Sequence, residues 1–224
     1  MKLNTTIARR RAAALVLLAL AAACGEAKKA PPAEKAPVAP PPAAPAIVDP
    51  AAPETYRVAF ETSKGSFTVE VTRSLSPRGA DRLYHLVQEN YFNDVRFFRV
   101  LPGFVVQFGM SGDAATNKKW SDATILDDPV KESNKRGTLT FATSGPNTRG
   151  NQFFVNLADN ASLDAQGFSP FGRVVDGMKV VDSFNAEYGS APSDNQPLIA
   201  QRGNAYLTQA FPKLDYIKSA KIVK

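Results

Sequence analysis

Apolar and polar residues alternate with a period of two over Tyr56-Arg57-Val58-Ala59-Phe60-Glu61-Thr62 and again over Phe67-Thr68-Val69-Glu70-Val71, the pattern of half-buried strands. The turn-forming stretch Ser63-Lys64-Gly65-Ser66 lies between them, so the pair predicts a hairpin. Ser76-Pro77 places an N-cap residue before a proline at the first helical position, and Ala80, Leu83, Tyr84 and Val87 follow at helical spacing. An amphipathic helix over 77–89 is predicted. His85 lies off that stripe and has no Ser, Cys or Asp partner apparent in the sequence, so it reads as a surface residue without a role. Further strands are predicted within 97–107 and over 138–142, 152–156, 168–175 and 214–223, with a short helix over 178–184 after Asp176-Gly177. The stretch 111–134 reads as a polar loop and 186–213 as loop-rich, and nothing in the pattern says whether Trp120 faces solvent or forms a lid. Many short strands, Gly/Pro turns and two helices over residues 54–224 predict a mainly β domain, a closed antiparallel barrel that leaves no edge exposed.

The amino-terminal quarter has a different texture. Lys2 and Arg9-Arg10-Arg11 precede the apolar run Ala12 to Ala23, the layout of a secretory signal peptide and too short to favour a spanning helix. The run ends Leu20-Ala21-Ala22-Ala23-Cys24-Gly25, which resembles the lipobox of bacterial lipoproteins, with its leucine one position further from the cysteine than that pattern prefers. The resemblance implies residues 1–24 as a signal peptide and lipidation at Cys24. With Gly25 behind the cysteine, it also implies an anchor in the outer membrane facing the periplasm. The rival reading is plain cleavage after an Ala-x-Ala site, giving a soluble exported protein. Residues 25–53 hold nine of the chain's 17 prolines, a composition that builds no core and extends at about 3.1 Å per residue as a tether.

Charge and cysteine content narrow the function. The chain carries a formal charge of +6, but residues 1–53 contain seven Lys/Arg against three Asp/Glu, so the remainder is nearly balanced. No dense basic block with interleaved aromatics is present there, which argues against nucleic acid as a partner. One cysteine and one histidine in 224 residues leave no intramolecular disulfide and no Cys- or His-based metal site.

Candidate chemistry gathers in two apolar stretches. The first is Phe97-Phe98-Arg99-Val100-Leu101-Pro102-Gly103-Phe104-Val105-Val106-Gln107, and the second is Phe141-Ala142-Thr143-Ser144-Gly145-Pro146-Asn147-Thr148-Arg149-Gly150-Asn151-Gln152-Phe153-Phe154-Val155. An arginine on so apolar a strand either snorkels to solvent or serves a pocket. Phe97, Phe141, Phe153 and Phe171 read as core, since such rings dominate interiors.

Arg99 to Gln107 resembles the R-I-I-P-G-F-M-x-Q motif of the cyclophilin-type peptidyl-prolyl cis-trans isomerases. Ala142 to Phe154 resembles the family's A-x-x-G-P-N-T-x-x-S-Q-F-F, and Phe171 to Met178 its F-G-x-V-x-x-G-M. The resemblance spans most of 55–185 in the right order and spacing. It implies an eight-stranded barrel with a helix at each end, no cofactor, no metal, Pro-containing polypeptides as substrates and a monomer. It assigns Arg99 and Gln107 to catalysis. Gln152 and the backbone of Thr143 would hold the flanking peptide, and Phe104, Val105, Phe154, Leu163 and Phe168 would form the proline pocket. Asn147 and Gly150 would shape the intervening turn. Several positions depart from the pattern. Phe98 stands where the family has a histidine, Val105 replaces a methionine, Phe168 occupies the place of another pocket histidine, and Ser162 stands where many members have a tryptophan. Phe98 and Phe168 are expected to make the pocket more apolar, and the Ser162 change implies poor binding of cyclosporin-like inhibitors. Phe108-Gly109-Met110 replaces G-G-D, and the loop 111–134 with Gly203-Asn204-Ala205-Tyr206-Leu207 resembles a bacterial branch.

The chemistry implied needs no nucleophile, base or metal. An X-Pro bond rotates over a barrier of about 18–20 kcal/mol because amide resonance is lost at the top, so any site that binds the twisted amide better than the planar one is a catalyst. An arginine aimed at the pyramidal proline nitrogen does this, being always charged and holding its donors in a planar fork. Two readings follow: an exported prolyl isomerase assisting envelope protein folding, or a non-catalytic module of the same fold that binds Pro-containing segments.

Overall fold

A computed structural model describes residues 47–224. The hairpin forms as predicted, with β1 (Thr55–Thr62) and β2 (Gly65–Thr72) paired in register from Thr55↔Thr72 to Thr62↔Gly65. Helix α1 (Pro77–Gln88) follows, burying Ala80, Leu83, Leu86 and Val87. Ser76 stands at its N-cap position, but its hydroxyl donates to the Asp128 carboxylate (2.6 Å) instead of accepting from the helix. Asp128 itself accepts from the Gly79 N–H (3.1 Å), so the cap comes from fifty residues away and ties the loop 123–130 to α1.

The apolar segment 97–107 departs from a single strand. It is preceded by β3 (Val95–Arg96) and divides into β4 (Arg99–Leu101) and β5 (Val105–Phe108). The remaining strands are β6 (Thr138–Phe141), β7 (Phe153–Asn156), β8 (Pro170–Asp176) and β9 (Tyr216–Val223). All pair antiparallel in one nine-stranded sheet of order β3-β9-β1-β2-β8-β6-β7-β5-β4. The expected closed eight-stranded barrel is therefore corrected to a curled sheet whose two edge strands, β3 and β4, are neighbouring pieces of one extended segment. The break falls at Phe97-Phe98, where consecutive side chains enter different apolar clusters. Phe97 stacks on Phe184 in the main core (4.0 Å between centroids), and Phe98 packs with Met110, Ile199, Leu207 and Leu214. The segment changes partners at this point: Val95 and Arg96 pair with β9, the Phe97 N–H still donates to the Asp215 carbonyl (3.0 Å), and from Arg99 onward the pairing is with β5.

Three helices lie where loops were expected. In 111–134, α2 (Ala114–Asp122) is capped by Asp113, whose carboxylate accepts from the Thr116 N–H (2.7 Å). It buries Trp120 in the core, against Arg82, Tyr91 and His85. Besides α3 (Met178–Asp182), which was expected, the segment 186–213 holds α4 (Gln196–Arg202) and α5 (Asn204–Ala210). These last two meet at Gly203, where φ is +51° and an added Cβ would sit 1.9 Å from the Gly112 carbonyl, so only glycine serves there.

Phe60, Phe67, Phe92, Phe97, Phe108, Phe141, Phe153 and Phe171 fill the concave side of the sheet, all fully buried. The core places Phe97, Phe141, Phe153 and Phe171 as the pattern predicted. The amino-terminal approach is fixed as well. The Arg82 side chain, 1% exposed, meets the Asp49 carboxylate (2.9 Å) and donates to the carbonyls of Ala123 (2.6 Å) and Gly150 (3.0 Å). His85, read above as a bare surface residue, is half-buried with Nδ1 3.0 Å from Asp49. Residues 1–46, which include the expected signal peptide, Cys24 and most of the tether, lie outside the described residues. Removing the partner of a buried guanidinium is costly, so Asp49→Ala is expected to lower stability by about 3 kcal/mol, read from the urea midpoint. Lys118→Ala, which breaks an exposed i,i+4 pair with Asp122, is expected to change it by less than about 0.5 kcal/mol.

Candidate active site

The ladder register assembles the site on the face opposite the core. Arg99 pairs with Gln107 across β4 and β5, and Gln107 pairs with Phe154 across β5 and β7. Residues directly opposite in a ladder point to the same face, so Arg99, Gln107 and Phe154 form one row there. Val105, two residues from Gln107, shares that face. Their neighbours Val100, Val106, Phe108, Phe153 and Val155 point into the core. The β4–β5 turn sets this register. Pro102 and Gly103 (φ +75°) take the central positions, and the Phe104 N–H donates to the Leu101 carbonyl (2.9 Å), a type II arrangement that calls for those two residues in that order.

Arg99, half-buried, donates through Nη1 to Gln107 Oε1 (3.2 Å), and its guanidinium lies 5.6 Å from the centre of the Phe104 ring. Gln107 Nε2 donates to Gln152 Oε1 (2.9 Å). Beside this pair lies a hollow of about 240 Å³ lined by Arg99, Gln107, Phe104, Val105, Phe154, Leu163 and Phe168, together with Ala142, Thr143 and Gln196. Its apolar wall is a separate cluster in which Val105, Phe154 and Leu163 are buried and Phe104, Ala142 and Phe168 pack against them. Phe154 and Phe168 meet edge to face at 5.7 Å. The structure thus brings the named candidates together, all but Gln152 on this hollow. Gln152 lines a second, polar recess of about 230 Å³ that shares Gln107, Ala142, Thr143 and Gln196 with the first. The Thr143 hydroxyl is engaged in its own turn with Gly145 and Thr148. Asn147, at φ +58°, exchanges hydrogen bonds with Asp127 (2.9 and 2.7 Å), and Gly150 approaches the Ser121 carbonyl where a Cβ would sit at 3.0 Å; both shape the loop.

Phe98 lines neither hollow. Fully buried beneath α4 and α5, it does not make the pocket more apolar as expected; Phe168 does line it. Ser162 is exposed and also lines neither hollow.

Sequence reasoning missed the scaffold beneath the pocket. Leu163 rides on a 3₁₀ turn, Ala161–Gln166, closed by Gly167. Asn134, fully buried, donates to the Phe168 carbonyl and the Asp164 carboxylate (both 2.8 Å), and its Oδ1 accepts from Thr140 (3.0 Å). Asn160 donates to the Phe104 carbonyl (2.9 Å). These amides fix both ends of the apolar wall. Both amides stand in polar stretches of the sequence, so no local pattern marked them. Gln196, from the stretch read as loop, was missed altogether.

The family model for the cyclophilin type peptidyl-prolyl cis-trans isomerases matches residues 57–202. The chain belongs to this family. Among curated relatives, a peptidyl-prolyl cis-trans isomerase-like 1 of Aspergillus oryzae is 42% identical over 130 residues, covering 55% of this chain and 78% of that protein. A peptidyl-prolyl cis-trans isomerase of Acinetobacter baylyi is 37% identical over 136 residues, covering 56% and 69%. A crystal structure of a Cryptosporidium parvum cyclophilin type isomerase superposes with a TM-score of 0.58 at 21% identity, covering 76% of this chain and 98% of that one, a likeness of fold.

The pocket wall carries a pH signature. Burial works to raise the Asp164 pKa, but hydrogen bonds from Ser133 and from the side chain and backbone of Asn134 outweigh it, and the group is held below its ordinary 3.8. A lowered carboxylate contributes stability above its unfolded pKa and loses it as pH falls through the folded value. Asp164→Asn is therefore expected to melt lower than the parent at pH 7, with the gap closing below pH about 4, as read from thermal melts across that range.

Proposed function

We propose that this protein accelerates cis/trans rotation of X-Pro bonds in exported polypeptides, with Arg99 as the group that stabilises the twisted amide. The observation that carries this reading is a charged fork, hydrogen-bonded to Gln107, beside a hollow of about 240 Å³ with one apolar wall. The proline ring enters between Phe104, Val105, Phe154, Leu163 and Phe168, where water is excluded and charge interactions strengthen. As the amide twists, its nitrogen becomes pyramidal and regains a lone pair. An Arg99 N–H not used by Gln107 donates to it and lowers the barrier. No covalent bond forms or breaks. Gln152 and the Thr143 backbone hold the peptide on either side of the rotating bond, so one part is fixed while the other turns.

The amino-terminal pattern supports a place in the cell envelope, with a lipid on Cys24 and residues 25–53 as a tether that holds the domain off the outer membrane while it assists folding there. At about 3.1 Å per residue the reach is several nanometres.

In a protease-coupled assay on a Pro peptide, Arg99→Ala is expected to lower kcat/KM about a hundredfold or more with the circular dichroism spectrum unchanged. Arg99→Lys is expected not to restore it, because an ammonium lacks the planar fork. Retained activity in either variant would refute the role. The lipid is tested by fractionation: Cys24→Ser is expected to move the protein from membranes to the soluble fraction, and persistence with membranes would refute the anchor.

A further inference from the structure

The three glutamines at the site form a chain with a fixed direction. A guanidinium only donates, so Gln107 turns its oxygen to Arg99 and its nitrogen to Gln152. Gln152 then turns its oxygen to Gln107 and its Nε2 to Gln196 Oε1 (3.0 Å). The series ends on the Gln196 amide nitrogen, a donor. Gln196 is half-buried and, with Gln107, Ala142 and Thr143, lines both the first hollow and the polar recess, so it stands at their shared boundary.

Its delivery is built into the fold. Gln196 is the first residue of α4, capped by Asn195, whose Oδ1 accepts from the Leu198 N–H (3.3 Å). Ile199 of α4 and Leu207 of α5 pack on Phe98 and Met110. Phe98, next to Arg99 in sequence, thus seats the helices that carry Gln196. That gives a physical reason for a phenylalanine at a position that lines neither hollow.

From this geometry we infer that Gln196 is a substrate-binding and specificity residue: its amide N–H donates to a carbonyl oxygen of the peptide backbone where the chain passes from the proline pocket into the recess. The recess has no ionisable side chain in its lining, so the neighbouring substrate residue it suits is small, polar and uncharged. This inference rests on the isomerase reading. It adds a contact that acts on the bound peptide as a whole, in planar and twisted forms alike, and so tightens binding without altering the rotation step.

The test compares the full-length parent with Gln196→Glu and Gln196→Met in the isomerase assay on a neutral Pro tetrapeptide, with circular dichroism to verify the fold. The Glu side chain still accepts from Gln152 but adds a charge as it loses the donor, and the Met side chain loses the donor without adding one, so a rise common to both reports the donor. Both variants are expected to raise KM about threefold to tenfold, the worth of one neutral hydrogen bond, with kcat within about twofold of the parent because the contact acts equally on both forms. An unchanged KM in the Glu variant overturns the assignment, whatever the Met variant does. If the parent shows no turnover, the isomerase reading fails instead, and the donor is judged by peptide Kd from NMR titration: the same ratio upholds it, equal Kd values overturn it.

Discussion

The site depends on one hydrogen bond across a ladder, from the Arg99 guanidinium to the Gln107 side chain. A free arginine on a strand end samples many rotamers, and its charge is worth most when it waits where the reacting nitrogen will be. Gln107 removes that freedom, and it does so because the Pro102-Gly103 turn sets the two residues opposite one another. A slip of one position in that turn would send Gln107 into the core and bring a valine to the arginine. The geometry of the turn is thus a condition for the chemistry, ahead of any property of the arginine alone.

The same period-two rule that positions the pair separates two tasks on the same strands. On β4, β5 and β7 the inward residues are aliphatic and aromatic and pack against α1 and β1, while the outward ones build the pocket. The convex face would be an apolar patch open to water. It is covered by the Asn160–Phe168 segment, held by the buried amide of Asn134 and the half-buried amide of Asn160. The hollow proposed to take the proline ring is the gap that this cover leaves. A packed core on one face and a hydrogen-bonded cover on the other frame the hollow without a bound substrate, the preorganisation that the proposed preference for a twisted amide requires.

Much of this was legible in the order of residues. Alternation gave β1 and β2, helical spacing gave α1, and the Arg99–Gln107 and Ala142–Phe154 motifs named a set of residues that meet around one hollow. What escaped was decided by contacts distant in sequence. Helices α4 and α5 are short and lack a strong stripe of their own; they are held by Phe98 and Met110, about a hundred residues away. Trp120 belongs to the core because Arg82 and Tyr91 meet it there, which no local pattern records. The cap of α1 comes from Asp128, since Ser76 turns its hydroxyl outward to that carboxylate. The closed eight-stranded barrel was read from the many short strands and from the family resemblance, and neither records that the chain leaves β9 after Arg96 and pairs with β5 from Arg99.

The account stands on the claim that this hollow speeds rotation of an amide it holds, and does more than bind it. The direct measurement is NMR exchange spectroscopy on a Pro peptide with a small fraction of the protein present, recording cis-to-trans exchange against the free peptide. The account predicts exchange cross-peaks on a timescale far shorter than the tens of seconds of the uncatalysed bond. Line broadening that reports binding, with no exchange beyond the uncatalysed rate, would contradict it and leave the protein a binder of proline segments.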